Sequence, residues 1–192
     1  MPGLVSPDGE TGAFVITYHD KRENNTNSNI YLVPTDGGPM KQLTNAPRAN
    51  NNPRWLADGM TIAFVSTRDG ESQVWTIPVA GGEARKLSSL STEASGLVVS
   101  PDGKTVAFAS VVYPDCHDDE CNQQRTDQAS KSKVKAKVFQ RLPYRVWNYW
   151  KDGKRSHVFV MPADGGKAAD VTPGDYDSPP IDLGGNTDYD FS

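Results

Sequence analysis

Short apolar runs separated by polar turns recur along the whole chain. Ala13-Phe-Val-Ile16, Ile62-Ala-Phe-Val65 and Val106-Ala-Phe-Ala109 each follow an Asp-Gly pair, while Ile30-Tyr-Leu-Val33, Val74-Trp-Thr-Ile77 and Val158-Phe-Val-Met161 each run into a Pro and then a double Gly. Runs this short, rich in β-branched and aromatic residues and bounded by turn formers, predict strands. Trp55 and Trp75 fall at regular strand positions and are expected in the core.

The turns return in the same order, which makes the pattern a repeat. Gly3-Leu-Val-Ser-Pro-Asp-Gly9 comes back as Gly96-Leu-Val-Val-Ser-Pro-Asp-Gly103, with a degenerate copy at Pro53-Arg-Trp-Leu-Ala-Asp-Gly59. A last short strand closes each unit, at Lys41-Gln-Leu-Thr44, Arg85-Lys-Leu-Ser88 and Asp170-Val-Thr172. In Ser-Pro-Asp-Gly, Pro presets φ for the first turn position, Asp accepts a bond from the backbone ahead, and Gly takes the left-handed position. Each unit therefore reads as a four-stranded antiparallel meander. Gly59 to Gly103 and Gly38 to Gly82 are both 44 positions, and four strands at that period mark a β-propeller blade.

Two spacings depart from the period. Gly9 to Gly59 is 50 positions, the excess falling in the Asn-rich stretch His19–Ser28, which reads as a long hairpin loop. Gly82 to Gly166 is 84 positions, so the third unit carries an insertion of about 40 residues. The expected fold is all-β: blades at 3–44, 53–88 and 95–172, the last interrupted by the insertion 113–154, and the start of another blade at 173–192. Propellers take about four to eight blades. Three cannot close a ring, so an open arc with apolar end faces, part of a longer protein, is expected.

Composition narrows the class. The 17 Gly and 14 Pro among 192 residues exceed average usage, and hydrophobic residues make up 36% along the whole length, which fits frequent turns rather than disorder or collagen. No apolar run approaches the roughly 20 residues of a spanning helix, and the start has no basic region followed by an apolar stretch. Neither a membrane span nor an export signal is expected within the chain. A net charge of −4 gives no general attraction to nucleic acid or anionic lipid.

The chemistry-bearing residues concentrate in the insertion. Cys116-His-Asp-Asp-Glu-Cys121 admits a local disulfide closing a short hairpin, reduced thiols, or a metal site; zinc is disfavoured because His19 and His157 lie far off in sequence. A disulfide would imply an oxidising compartment. Between Lys131 and Arg155 stand nine basic residues and one acid, Asp152. Lys131, Lys133, Lys135 and Lys137 alternate, which on a strand places them on one face, as lysines protecting an exposed edge or as contacts to an acidic partner. Tyr144, Trp147, Tyr149 and Trp150 either anchor the insertion to its blade or line a pocket. The acids Asp175 and Asp177, with Asp182 and Asp188, match no calcium loop and read as a solvated loop.

The Ser-Pro-Asp-Gly, Ala-Phe-Val-Ser, Val-Trp-x-Ile-Pro and Gly-Gly-Glu series resembles the propeller repeat shared by TolB-like periplasmic proteins and the prolyl oligopeptidase family of serine peptidases. The insertion, from Tyr113-Pro-Asp-Cys116 through Arg141-Leu, Tyr144-Arg-Val-Trp147 and Asp152-Gly-Lys-Arg-Ser-His157, together with Asp170-Val-Thr-Pro-Gly-Asp-Tyr-Asp177, resembles bacterial dipeptidyl-peptidase and acylaminoacyl-peptidase-like members. That resemblance implies a periplasmic or secreted enzyme whose propeller sits over a C-terminal α/β-hydrolase domain bearing a Ser-Asp-His triad, with peptides as substrates and no cofactor. No Gly-x-Ser-x-Gly elbow occurs in these 192 residues, so no catalytic or metal residue is assigned. Some members grip a free amino terminus with adjacent Glu residues, and this chain has no such pair. Candidate substrate or domain contacts are Lys135, Lys137, Arg141, Tyr144, Arg145, Trp147 and Trp150. The alternative is a TolB-like module working by protein–protein contacts alone.

Overall fold

The computed structural model describes residues 4–134, 136–137, 139, 145–146, 149–179 and 188–192. Three antiparallel sheets follow one another along the chain. The first contains β1 (Thr11–Asp20), β2 (Asn25–Pro34) and β3 (Lys41–Gln42); the second β4 (Asn50–Trp55), β5 (Thr61–Ser66), β6 (Gln73–Pro78) and β7 (Arg85–Lys86). The third joins β8 (Ala94–Val99) and β9 (Thr105–Val112) to β12 (Arg155–Pro162) and β13 (Ala169–Asp170). Between β9 and β12 lie helix α1 (Asp119–Lys131) and the hairpin of β10 (Arg145–Val146) and β11 (Tyr149–Trp150). The array is an open propeller segment.

The repeated turns hold as the turn chemistry requires. Ser6 Oγ donates to Asp8 at 2.5 Å and accepts from Thr11 N at 2.9 Å; Ser100 does the same with Asp102 at 2.6 Å and Thr105 N at 2.9 Å. In the second unit Leu56 has no hydroxyl, and Asp58 instead accepts from the Thr61 backbone and hydroxyl. Gly103 has φ +69°, and a Cβ there would stand 2.5 Å from Ala57 of the preceding unit, so this turn needs Gly twice over.

Alternation along the strands sorts side chains into two inter-sheet cores. Ala13, Ile30 and Leu32 of the first sheet pack with Trp55, Ile62, Phe64, Trp75 and Ile77 of the second. Val65 and Val74, from the opposite face of the second sheet, pack with Leu97, Val106, Phe108, Phe159 and Met161 of the third. Both tryptophans are buried, as their positions predict. Beyond the third sheet Tyr189 and Phe191 cover Val98, Ala107 and Val158, and the Tyr189 hydroxyl donates to the Gly96 carbonyl.

Several local expectations are corrected. Among the described residues the first sheet has three strands, and only an isolated bridge, Val5 to Gly12, stands where a fourth is expected. His19–Ser28 is not a long loop: β1 and β2 pair through His19↔Thr26 to Asp20↔Asn25, and Asp20 accepts from the Arg22 and Glu23 amides in a tight turn. The six extra residues lengthen the ribbon because its polar side chains satisfy one another, as in the Thr17–Ser28 hydroxyl contact of 2.9 Å.

The alternating lysines do not lie on a strand either. Lys131 is the last residue of α1, and the described residues from Ser132 to Lys137 belong to no strand. The local signal that wins is an N-cap: Asp118 accepts from Cys121 N at 2.9 Å, Asp119 and Glu120 occupy the first turn, and Lys131 the last, matching the helix dipole.

Candidate functional site

The insertion leaves the third unit at the corner between its second and third strands. The corresponding corner of the second unit is the turn Thr67–Ser72. Helix α1 has almost no apolar face, its only buried residue among those described being Asn122, so polar contacts must hold it. Asn122 Oδ1 accepts from Tyr113 N at 2.8 Å, and Asp119 accepts from Ser91 N at 2.9 Å and from Ser91 Oγ at 2.7 Å. Arg125 pairs with Asp115 and lies 4.1 Å from the centre of the Tyr113 ring.

Cys116 and Cys121 are joined in a disulfide. It closes no hairpin; it ties the turn after β9 to the first turn of α1. His117 stands exposed between them.

A charged rim surrounds Tyr113. Lys154 lies 5.0 Å from the ring, and its ammonium is held below its ordinary pKa by burial, with Asp152 and Glu93 opposing that shift. Glu93 shares a hydrogen bond with Glu71, which raises its pKa, and partial burial adds to the rise. Glu71 lies at the corner after β5 and Glu93 in the link to the third unit. Neither their positions nor their neighbours in sequence hint at the pairing.

Of the predicted contacts, Lys137, Arg145 and Trp150 come together. Trp150 pairs with Arg145 across the β10–β11 hairpin, stacks on Phe139 at 5.3 Å, and has Lys137 at 5.9 Å and Arg145 at 5.5 Å from its ring. Lys137 also pairs with Asp152. Trp150 remains 43% exposed, so it is a surface platform for these cations rather than a buried anchor. Lys135, Arg141, Tyr144 and Trp147 lie outside the described residues.

Of the acids after β13, Asp175 and Asp177 are paired rather than solvated, and Asp182 lies outside the described residues. Asp177 accepts from Lys151 in an ion pair whose side chains are 7% and 18% exposed, and it also takes the Ser156 amide at 3.1 Å; Asp175 meets Arg155 at 2.7 Å. Lys137, Lys151 and Arg155 thus hold the chain rather than line a free edge, and the least exposed of them, Lys151, needs its counter-charge most.

His157 sits in a position the repeat explains. Asn29, Gln73 and His157 stand at equivalent, buried sites, each tying the last strand of its unit to the following link. Asn29 accepts from Thr44 Oγ1 at 3.1 Å and from Asn50 at 3.2 Å; Gln73 accepts from Ser88 Oγ at 2.7 Å and donates to the Leu90 and Thr92 carbonyls. His157 engages Asp170 through Nδ1 at 2.6 Å and the Gly174 carbonyl through Nε2 at 2.9 Å. With both nitrogens occupied it has none left to activate a nucleophile.

Comparison with known proteins agrees with this architecture. Dipeptidyl-peptidase 5 of Porphyromonas endodontalis is 26% identical over 157 residues, 81% of this chain, and the chain spans 22% of that relative's length. Among solved structures, the acylaminoacyl peptidase of Pyrococcus horikoshii aligns with a TM-score of 0.62 at 15% identity, covering 85% of this chain and 24% of that one. TolB from Acinetobacter baumannii aligns with a TM-score of 0.57 at 19% identity, covering 89% and 32%. The model of the TolB beta propeller domain matches residues 3–135, across the turns that repeat from unit to unit and into the insertion, and the chain belongs to that family.

Proposed function

We propose that this chain is propeller from a secreted or periplasmic serine exopeptidase or oligopeptidase, gating peptide access and docking on an α/β-hydrolase domain that carries the chemistry. The observation that carries this reading is the likeness to dipeptidyl-peptidase 5, which extends over 81% of the chain and so beyond any single repeat. The disulfide supports an oxidising compartment. No helix among the described residues is long and apolar enough to cross a membrane. Within the chain the insertion is the element suited to gating, because it leaves the third unit at one corner and its helix α1 is held by side-chain contacts instead of a core. The blade boundaries 3–44, 53–88, 95–172 and 173–192 are part of the same proposal. Peptides and the hydrolase domain are the proposed partners.

The test reads the coding sequence past Ser192 and assays both forms of the protein. A Gly-x-Ser-x-Gly elbow followed by Asp and His is expected. The 192-residue chain should give background rates on aminoacyl, dipeptidyl and acylaminoacyl chromogenic amides, while the longer product releases dye and is stopped by a serine-directed inhibitor. Inhibitor-sensitive turnover by the chain alone overturns the reading. A continuation with further blades and no elbow favours the second reading, a TolB-like binding module, which the family match itself supports.

A further inference from the structure

His157 and Asp170 depart from the repeat together. Where His157 precedes the apolar run of β12, the first two units have amides, Asn29 and Gln73. Where Asp170 pairs with Phe159, they have Gln42 opposite Tyr31 and Lys86 opposite Trp75. An amide carries donors and an acceptor at once and does not titrate, so the first two ties do not depend on pH. Of the three units, only the one that carries the insertion puts an imidazole and a carboxylate at these two positions.

Both partners of the ring are acceptors. Nε2 meets the Gly174 carbonyl at 2.9 Å, which has no proton to give, and Nδ1 meets Asp170 Oδ2 at 2.6 Å while Asp170 Oδ1 takes the Thr172 amide at 3.0 Å. The two ring contacts are satisfied together only when the pair holds one proton more than a neutral ring and a carboxylate. Imidazole is the stronger base of the two, so that proton sits on the ring. His157 is 1% exposed, and water cannot replace a lost bond. A neutral ring keeps one N–H, and whichever contact it keeps, its bare nitrogen then faces an oxygen lone pair at the other. The neighbouring charges are engaged elsewhere: Arg155 with Asp175, Lys151 with Asp177, Lys154 against the Tyr113 ring, and Glu93 with Glu71. Strand β9 has no titratable side chain, and its Ser110, opposite His157, donates to the Glu93 carbonyl at 2.7 Å.

The segment held by the ring is the one that closes the base of the insertion. Thr172 Oγ1 accepts from Val158 N at 2.8 Å, Asp175 meets Arg155 at 2.7 Å, Asp177 takes the Lys151 ammonium and the Ser156 amide, and Ser178 N donates to the Ser156 carbonyl at 2.7 Å. Arg155 and Ser156 begin β12, where the chain returns from the insertion. We propose that His157 is a proton-dependent latch: as an imidazolium it ties Asp170 to Gly174 and so holds residues 170–178 against the base of the insertion, and as a neutral ring it lets them part. The folded chain binds a proton there that the unfolded chain gives up as pH rises, so the latch is closed in mild acid and its contribution is lost as pH rises. It is a property of this chain's own fold, so it stands or falls separately from the function proposed above.

Nitrogen-15 NMR of the native 192-residue chain tests it. At about pH 6, within the ordinary imidazole range, the buried His157 is expected to show two slowly exchanging ring N–H protons, which the exposed His19 and His117 cannot retain. Raising the pH should remove one of them. The backbone amides of Ser156, Thr172 and Ser178 should shift with the same midpoint, while those of Ile62–Val65 stay in place. Asp170→Asn should move that midpoint to lower pH, because a neutral amide does not stabilise the imidazolium. His157→Gln, which gives the third unit the residue of the second, should abolish the pH dependence of the three amides. A single protected ring N–H at that pH, amides that do not follow the ring proton, or an unchanged midpoint in Asp170→Asn each overturns the proposal. The first two readings use the native chain, so they decide it should either variant fail to fold.

Discussion

Arg85 donates from its guanidinium to the Asp164 carbonyl at 2.6 Å, across 79 positions of sequence. One unit earlier, Lys41 makes the same contact, reaching the Val79 and Ala80 carbonyls at 3.1 and 3.0 Å. Both basic residues start the last strand of their own sheet and cap the Pro-x-x-Gly-Gly turn of the next. The third unit has Ala169 at that position, so the clamp exists only between the first and second and the second and third sheets.

Arg85→Ala should therefore loosen the junction between the second and third sheets. A loss of up to about 1 kcal/mol is expected for one exposed carbonyl bond, with Arg85→Lys close to native because Lys41 does the same work. Urea unfolding of the three proteins checks this; equal midpoints for Ala and Lys would show that the bond contributes nothing.

Gly103 and Gly9 occupy the same turn position but not the same space. Both are left-handed, at φ +69° and +79°, yet a Cβ on Gly103 meets Ala57 at 2.5 Å while one on Gly9 meets nothing within 4 Å. Gly9→Ala should cost about 1 kcal/mol from the backbone alone, and Gly103→Ala about 1–3 kcal/mol more because two units must move apart. Thermal melts should rank them in that order.

Reducing the Cys116–Cys121 bond should release the start of α1 without opening the sheets. Closing so short a loop contributes about 2 kcal/mol in the chain-entropy model. The helix lacks an apolar face to compensate. Hydrogen exchange over 119–131 should accelerate on reduction, whereas Ile62–Val65 and Val106–Ala109 stay protected; mass spectrometry of the native chain should show two hydrogens fewer than the reduced one.

Two groups of carboxylates should respond to pH in opposite senses. The Ser6 and Ser100 hydroxyls, followed by the Glu10 and Lys104 amides, hold Asp8 and Asp102 below the ordinary value of 3.8. Their folded pKa is depressed, so their contribution is complete above that value and is lost as pH falls through the lower folded one. Glu93 is raised above 4.5, first by its hydrogen bond to Glu71 and then by burial. Its contribution is present below 4.5 and is lost as pH rises through the raised value. Carboxyl NMR titration should show Ser100→Ala raising Asp102, and Glu71→Gln lowering Glu93.

The repeat, the strands and the reversing corners were legible in the chain because each depends on neighbours in sequence. Pro7 and Asp8 bend their own backbone, and alternation in Ile62–Val65 sorts side chains to two faces whatever lies beyond them. The disulfide partners were also within reach, being five positions apart. Other features had no local signature. The alternating lysines suggested a strand, but a strand needs a partner, and Asp118 offered a helix cap instead. Lys151 with Asp177 and Glu71 with Glu93 join residues that only the tertiary structure brings together, and Arg68 meets Phe64 and Trp75 only once β5 and β6 pair in register. Charge balance and burial are properties of the folded whole: a lysine read along the chain is a solvated cation, and it becomes a structural tie only when its neighbours in space exclude water from around it.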